Sequence, residues 1–136
     1  MRVLLTILGA VVLSQAACKG GAWGIGFSGT AMPTAAPGST ATVTGELDTH
    51  GVDNGLYTVT ATPSSGADSC MVSANGGPAA ASIQVDTSSG DQTVKLVVTI
   101  QVSKTATLNA DCKVVATSNA DPSQHQGADA SVILGP

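Results

Sequence analysis

The chain has 136 residues, of which only 10% are charged and 2% aromatic, with nine Asp and Glu against five Lys and Arg for a net charge of −4. That balance leaves no basic footprint for nucleic acid or for anionic lipid. The length accommodates one core, and a mean hydropathy of +0.28 excludes a chain held open by its own charge.

Residues 1–17 have the layout of an export signal, with Arg2, an apolar run from Val3 to Leu13, and the small or polar Ser14, Gln15, Ala16 and Ala17. The run is about eleven residues, against the roughly 20 that a membrane-spanning helix needs. Two cleavages are chemically open. Ser14 and Ala16 present small side chains to a general signal peptidase, which would cut before Ala17 and release the protein. Alternatively, Ala16-Ala17-Cys18 resembles the end of a bacterial lipobox, in which Cys18 becomes the lipidated first residue; Gln15 stands where that pattern has an aliphatic residue. Cysteine parity favours the second. Of three cysteines in an exported chain, lipidation of Cys18 leaves Cys70 and Cys112 to form one disulfide.

Residues 18–38 are rich in Gly, Ala and Pro and read as a tether, with room for a first strand. Trp23 and Phe27 fall here, and the simpler expectation is that they cap one end of the core instead of dipping into a membrane interface. From Ser39 onward, short alternating runs are separated by turn signals, the period-2 pattern of half-buried strands. The expected strands are 39–48, 56–63, 70–74, 81–87, 93–102, 110–118 and 130–135. The strongest, TVKLVVTIQV, sets Val94, Leu96, Val98, Ile100 and Val102 on one face.

About seven strands, no amphipathic helix between them and connections too short for parallel crossovers predict an all-β, antiparallel Ig-like β-sandwich over 39–136. Cys70 and Cys112 then sit on the third and sixth strands, and a cross-strand staple within one sheet is expected. Because Val97 interrupts the polar face of 93–102, that strand would invite pairing at a sheet edge; the expectation is a central position.

The segments SGDQTVKLVVTIQV and CKVVATSNADPSQHQGADASVILGP resemble the last third of repeat domains found in many bacterial cell-surface proteins. Gln126, Gly127, Ala128 and Asp129 stand where that family usually has paired asparagines. The resemblance implies an Ig-like surface module and carries no catalytic residues with it.

Reactive chemistry is sparse. His50 and His125 both lie in expected loops, no Gly-x-Ser-x-Gly turn occurs, and no spacing of His, Cys and Met fits a copper centre. The loop ELDTHGVDNG offers Asp48, Asp53 and Asn54 as weak calcium candidates, in a spacing unlike an EF-hand, and the same residue types are ordinary turn formers. No enzyme activity and no cofactor are expected. The sequence reads as an exported, lipid-anchored, non-catalytic structural or interaction module of the bacterial cell envelope, meeting the membrane through Cys18 and a protein partner at the cell surface. The alternatives are a surface-fibre subunit assembling by strand exchange and a soluble secreted binding protein.

Overall fold

The computed structural model describes residues 23–27 and 32–136. Nine strands and no helix occur among these residues: β1 (Gly24–Gly26), β2 (Thr34–Ala35), β3 (Thr40–Asp48), β4 (Leu56–Pro63), β5 (Ala67–Ala74), β6 (Ser82–Asp86), β7 (Thr93–Val102), β8 (Ala110–Ser118) and β9 (His125–Leu134). They form a four-stranded sheet in the order β1-β3-β7-β5 and a five-stranded sheet in the order β2-β9-β8-β4-β6. All pairings are antiparallel except that of β2 with β9. Two sheets packed face to face in these orders make an Ig-like sandwich.

Alternation decides which side chains meet between the layers. On β7, Val94, Leu96, Val98, Ile100 and Val102 are all buried, and on β8, Cys112, Val114 and Ala116 face them from the other sheet. β7 is central, paired with β3 on one side and β5 on the other, so Val97 lies half-buried on a covered surface and not at an edge.

The strand number is nine and not about seven because the span 18–38 contributes two short ones. β1 joins β3 at Asp48, Leu47 and Glu46, and β2 joins β9 at Ile133 and Leu134, so this stretch serves both sheets. Strands of three and two residues are too brief to show a period. Gly45 explains how β1 lies so close, since a Cβ there would land on the Phe27 ring and the Gly26 carbonyl. Trp23 and Phe27 pack on the core rim, as the simpler reading of these aromatics expects.

The bond between Cys70 and Cys112 corrects the expected staple. Cys70 is on β5 of the four-stranded sheet and Cys112 on β8 of the five-stranded one, with Cα atoms 6.0 Å apart. It pins the two layers together. The reason lies in the turn after β4: Ser64 and Ser65 still bond to Asp111 on β8, and Gly66, at φ +68°, then hands the chain to the other sheet, its carbonyl accepting from the Ser103 N–H. Sequence spacing places a strand at Cys70 but does not say to which sheet it crosses.

Candidate functional site

The acidic loop between β3 and β4 is tied down by two buried threonines. Thr49 exchanges backbone and hydroxyl bonds with Gln92, and Thr87 does the same with Gly55. Within the loop each calcium candidate already has turn partners. Asp48 Oδ1 accepts from the His50 backbone N–H at 2.9 Å and pairs with His50 Nδ1 at 2.5 Å. The Asp53 carbonyl accepts the Tyr57 hydroxyl at 2.5 Å, and the Asn54 amide, in the orientation that satisfies its neighbours, donates to Asp91 and to the Gly90 carbonyl. Among the described residues no three His, Cys, Asp or Glu side chains come together as a metal-binding group. The Asp48 carboxylate, the Asp53 carbonyl and the Asn54 amide are thus each engaged in the local bonds of the loop.

The electrostatics of the loop follow from those bonds. The hydrogen bond that the His50 ring donates to Asp48, and then the charge of Asp48, raise the His50 imidazole above its ordinary 6.5. Partial burial pushes Asp48 up, but the His50 N–H, ring and charge outweigh it and leave the carboxyl below 3.8. Neither histidine ring bonds a hydroxyl or thiol among the described residues: His50 faces Asp48, and His125 Nδ1 lies 3.4 Å from the Pro122 carbonyl. Serine nucleophiles need such a base within reach. Neither ring is placed to serve one in this arrangement.

Tyr57 stands out without having been legible as special. It is the largest fully buried side chain, its ring lies 5.3 Å from that of Trp23, and burial followed by the charge of Asp53 holds its phenol above 10.0. Only its polar tip, bonded to Asp53, distinguishes it from a purely apolar core residue.

No family model matches the chain, and no curated protein does. Two solved structures are similar over most of its length. One is that of AvmM, which catalyzes macrocyclization in alchivemycin A biosynthesis, at 13% identity over 82% of this chain and 88% of that one, with a TM-score of 0.48. The other is the seventh PapD-like domain of human CEP192, at 13% identity over 81% of each chain, with a TM-score of 0.45.

Two surface features remain. A shallow side groove of about 240 Å³ runs between β3 and β9 over Val43, edged by Phe27 and Met32. The second is β9 itself, which begins at His125 and so takes in residues expected to be loop. His125 sits opposite Thr117 and Asp129 opposite Lys113 on β8, while β2 covers the outer edge of β9 only at Ile133 and Leu134. Cys18, the expected lipidation site, lies outside the described residues.

Proposed function

We propose that this chain is an exported, lipid-anchored and non-catalytic interaction module of the bacterial cell envelope. The observation that carries the reading is the arrangement of its three cysteines. Cys70 and Cys112 are joined between the sheets, and such bonds persist in oxidising compartments. Cys18 is then the odd cysteine, at the end of a signal-like segment where acylation would use it. The resemblance of the C-terminal strands to cell-surface repeat domains supports the same placement.

The interaction role rests on what the sandwich offers. Its core is filled mostly by Val, Ile, Leu and Ala, its histidines lie against Asp48 and a main-chain carbonyl, and the groove between β3 and β9 is open to solvent. Function on such a fold is set by the sites it carries, and the sites offered here are strand edges and loops.

Expression in a bacterial host with and without globomycin, followed by intact mass of the mature protein, tests the anchor. A chain beginning at Cys18 with acyl mass, its maturation blocked by globomycin, is the expected result. A free amine at Ala17 or Cys18 with no acyl mass would replace this reading with a released, secreted binding protein.

A further inference from the structure

We propose that on an anionic bilayer this domain stands end-on, with the loops 49–55, 87–92 and 119–124 next to the lipid and the turns 64–66 and 103–109 held outward as the surface a partner meets. The inference rests on the reading of Cys18 as the anchored residue, and it adds which end of the folded body faces the membrane and why.

The direction of entry is fixed by β1. Its three residues run antiparallel to the end of β3, Gly24 against Asp48 and Gly26 against Glu46. The chain therefore comes in at the end where β3 finishes. Trp23 packs at that entry against Tyr57, whose hydroxyl bonds the Asp53 carbonyl. The same end holds 87–92, through Thr49 on Gln92, and 119–124, through the Asn119 N–H on the Leu56 carbonyl.

Covalent length then limits the poses. Cys18 lies five residues before Trp23, and five residues span at most about 18 Å on any path. The ten residues of β7 cross the sandwich in about 33 Å. At the far end of β7, the Val102 carbonyl accepts from Gly38 and the Ser103 N–H donates to Gly66. The entry end is thus always within reach of the lipid, and the far end approaches it only if the body lies flat.

Charge decides between standing and lying. The entry end carries Asp48, Asp53, Asp86, Asp91 and Asp121, and its three loops contain no Lys or Arg. Without residues 1–17 the chain has nine acidic residues against four Lys, a net charge of −5. The repulsion from anionic headgroups decays over about 10 Å at 0.1 M salt. An upright body exposes only its entry end to that layer, and the link lets this end back away. Lying on the five-stranded sheet would bring Asp111 and Asp129 into the layer as well. The outer face of the four-stranded sheet sets Glu46 beside Lys95 and otherwise presents mostly Thr and Ser, which offers headgroups no net attraction.

The outward end differs in kind. Leu108 there is the most exposed large apolar side chain among the described residues. It borders a depression of about 270 Å³ lined also by Gly66, Asp68, Ser103 and Thr105.

Coupling the mature chain through Cys18 to a maleimide lipid tests this geometry whether or not a cell acylates Cys18, because Cys70 and Cys112 are held in their own bond. The membrane is phosphatidylcholine with phosphatidylglycerol and a gadolinium-chelating headgroup lipid, and amide relaxation is read residue by residue. At low salt, amides of 49–55, 87–92 and 119–124 should relax several-fold faster than those of 64–66 and 103–109. The contrast should shrink in high salt and in phosphatidylcholine alone. Cys18→Ser with Thr105→Cys, coupled at the new thiol, should invert the gradient and so calibrate the readout. Equal relaxation at the two ends of the Cys18-linked chain, a gradient of opposite sign, or one indifferent to salt and lipid charge would overturn the proposal. Failure of the globomycin experiment would instead remove the anchor and leave this measurement unchanged.

Discussion

Trp23 lies tilted at 50° against Tyr57 with ring centroids 5.3 Å apart, while the Tyr57 hydroxyl donates to the Asp53 carbonyl at 2.5 Å. One side chain thus joins the residue before β1, the core and the loop ahead of β4. Tyr57→Phe keeps the ring and loses the bond, and should cost about 1 kcal/mol in urea unfolding. A cycle of Trp23→Ala with Tyr57→Ala should show a coupling of about 1 kcal/mol, the worth of an aromatic pair beyond its buried area. Additive effects would mean that Trp23 contributes nothing through Tyr57.

Gly66 makes the hand-over between the sheets possible. Its φ is +68°, and an added Cβ would meet the carbonyl oxygens of Asn109 at 2.5 Å and Leu108 at 2.8 Å. Backbone cannot yield as a flexible side chain does. Gly66→Ala should therefore destabilise the fold by roughly 3 kcal/mol, whereas Gly76→Ala, where φ is +76° but nothing lies within 4 Å, should cost only the conformational strain, about 1 kcal/mol. Thermal melts of the two variants side by side measure the difference.

The bond between Cys70 and Cys112 closes a loop of 42 residues, for which chain entropy gives about 4 kcal/mol. Replacing both cysteines by Ala should lower unfolding free energy by about that amount and raise the denaturant slope, since the unfolded chain becomes more open. An unchanged midpoint would show that the link adds nothing to packing already sufficient to hold the layers.

Protonation acts on the exposed Asp48 and His50 pair in opposite senses. His50 is raised by its bond to Asp48, so its contribution is fully present below 6.5 and is lost as pH rises through the folded value. Asp48 is lowered, so its contribution is present above 3.8 and is lost as pH falls through the folded value. Both groups are solvated, and the effect on stability is small. NMR titration reads it directly: the His50 midpoint should fall toward its ordinary value in Asp48→Asn.

The fold was legible wherever one face of a strand is apolar and the other polar. Val94 to Val102 on β7 and Cys112 to Ala116 on β8 carry that contrast in full, and both strands have the expected ends. β9 was only half legible. From Ala130 its inward residues are apolar, but His125 to Asp129 belong to an exposed edge, where polar and glycine residues hide the period. The inter-sheet position of the disulfide was not readable, because it depends on a backbone turn at Gly66 and not on spacing. The acidic loop read first as turn and only weakly as a cation site, because Asp and Asn serve both, and the spacing of Asp48, Asp53 and Asn54 does not tell which backbone and side-chain partners they take. No local sequence signal marks Tyr57, whose importance comes from Trp23 and Asp53 meeting it.

Peptide mapping without reduction, on protein taken from its native compartment, bears most directly on the pinned sandwich and on its proposed delivery outside the cytoplasm. A linked peptide pair containing Cys70 and Cys112, with Cys18 present only as an acylated N-terminal residue, is the predicted result. Alkylatable thiols at Cys70 and Cys112 in freshly isolated protein would contradict it.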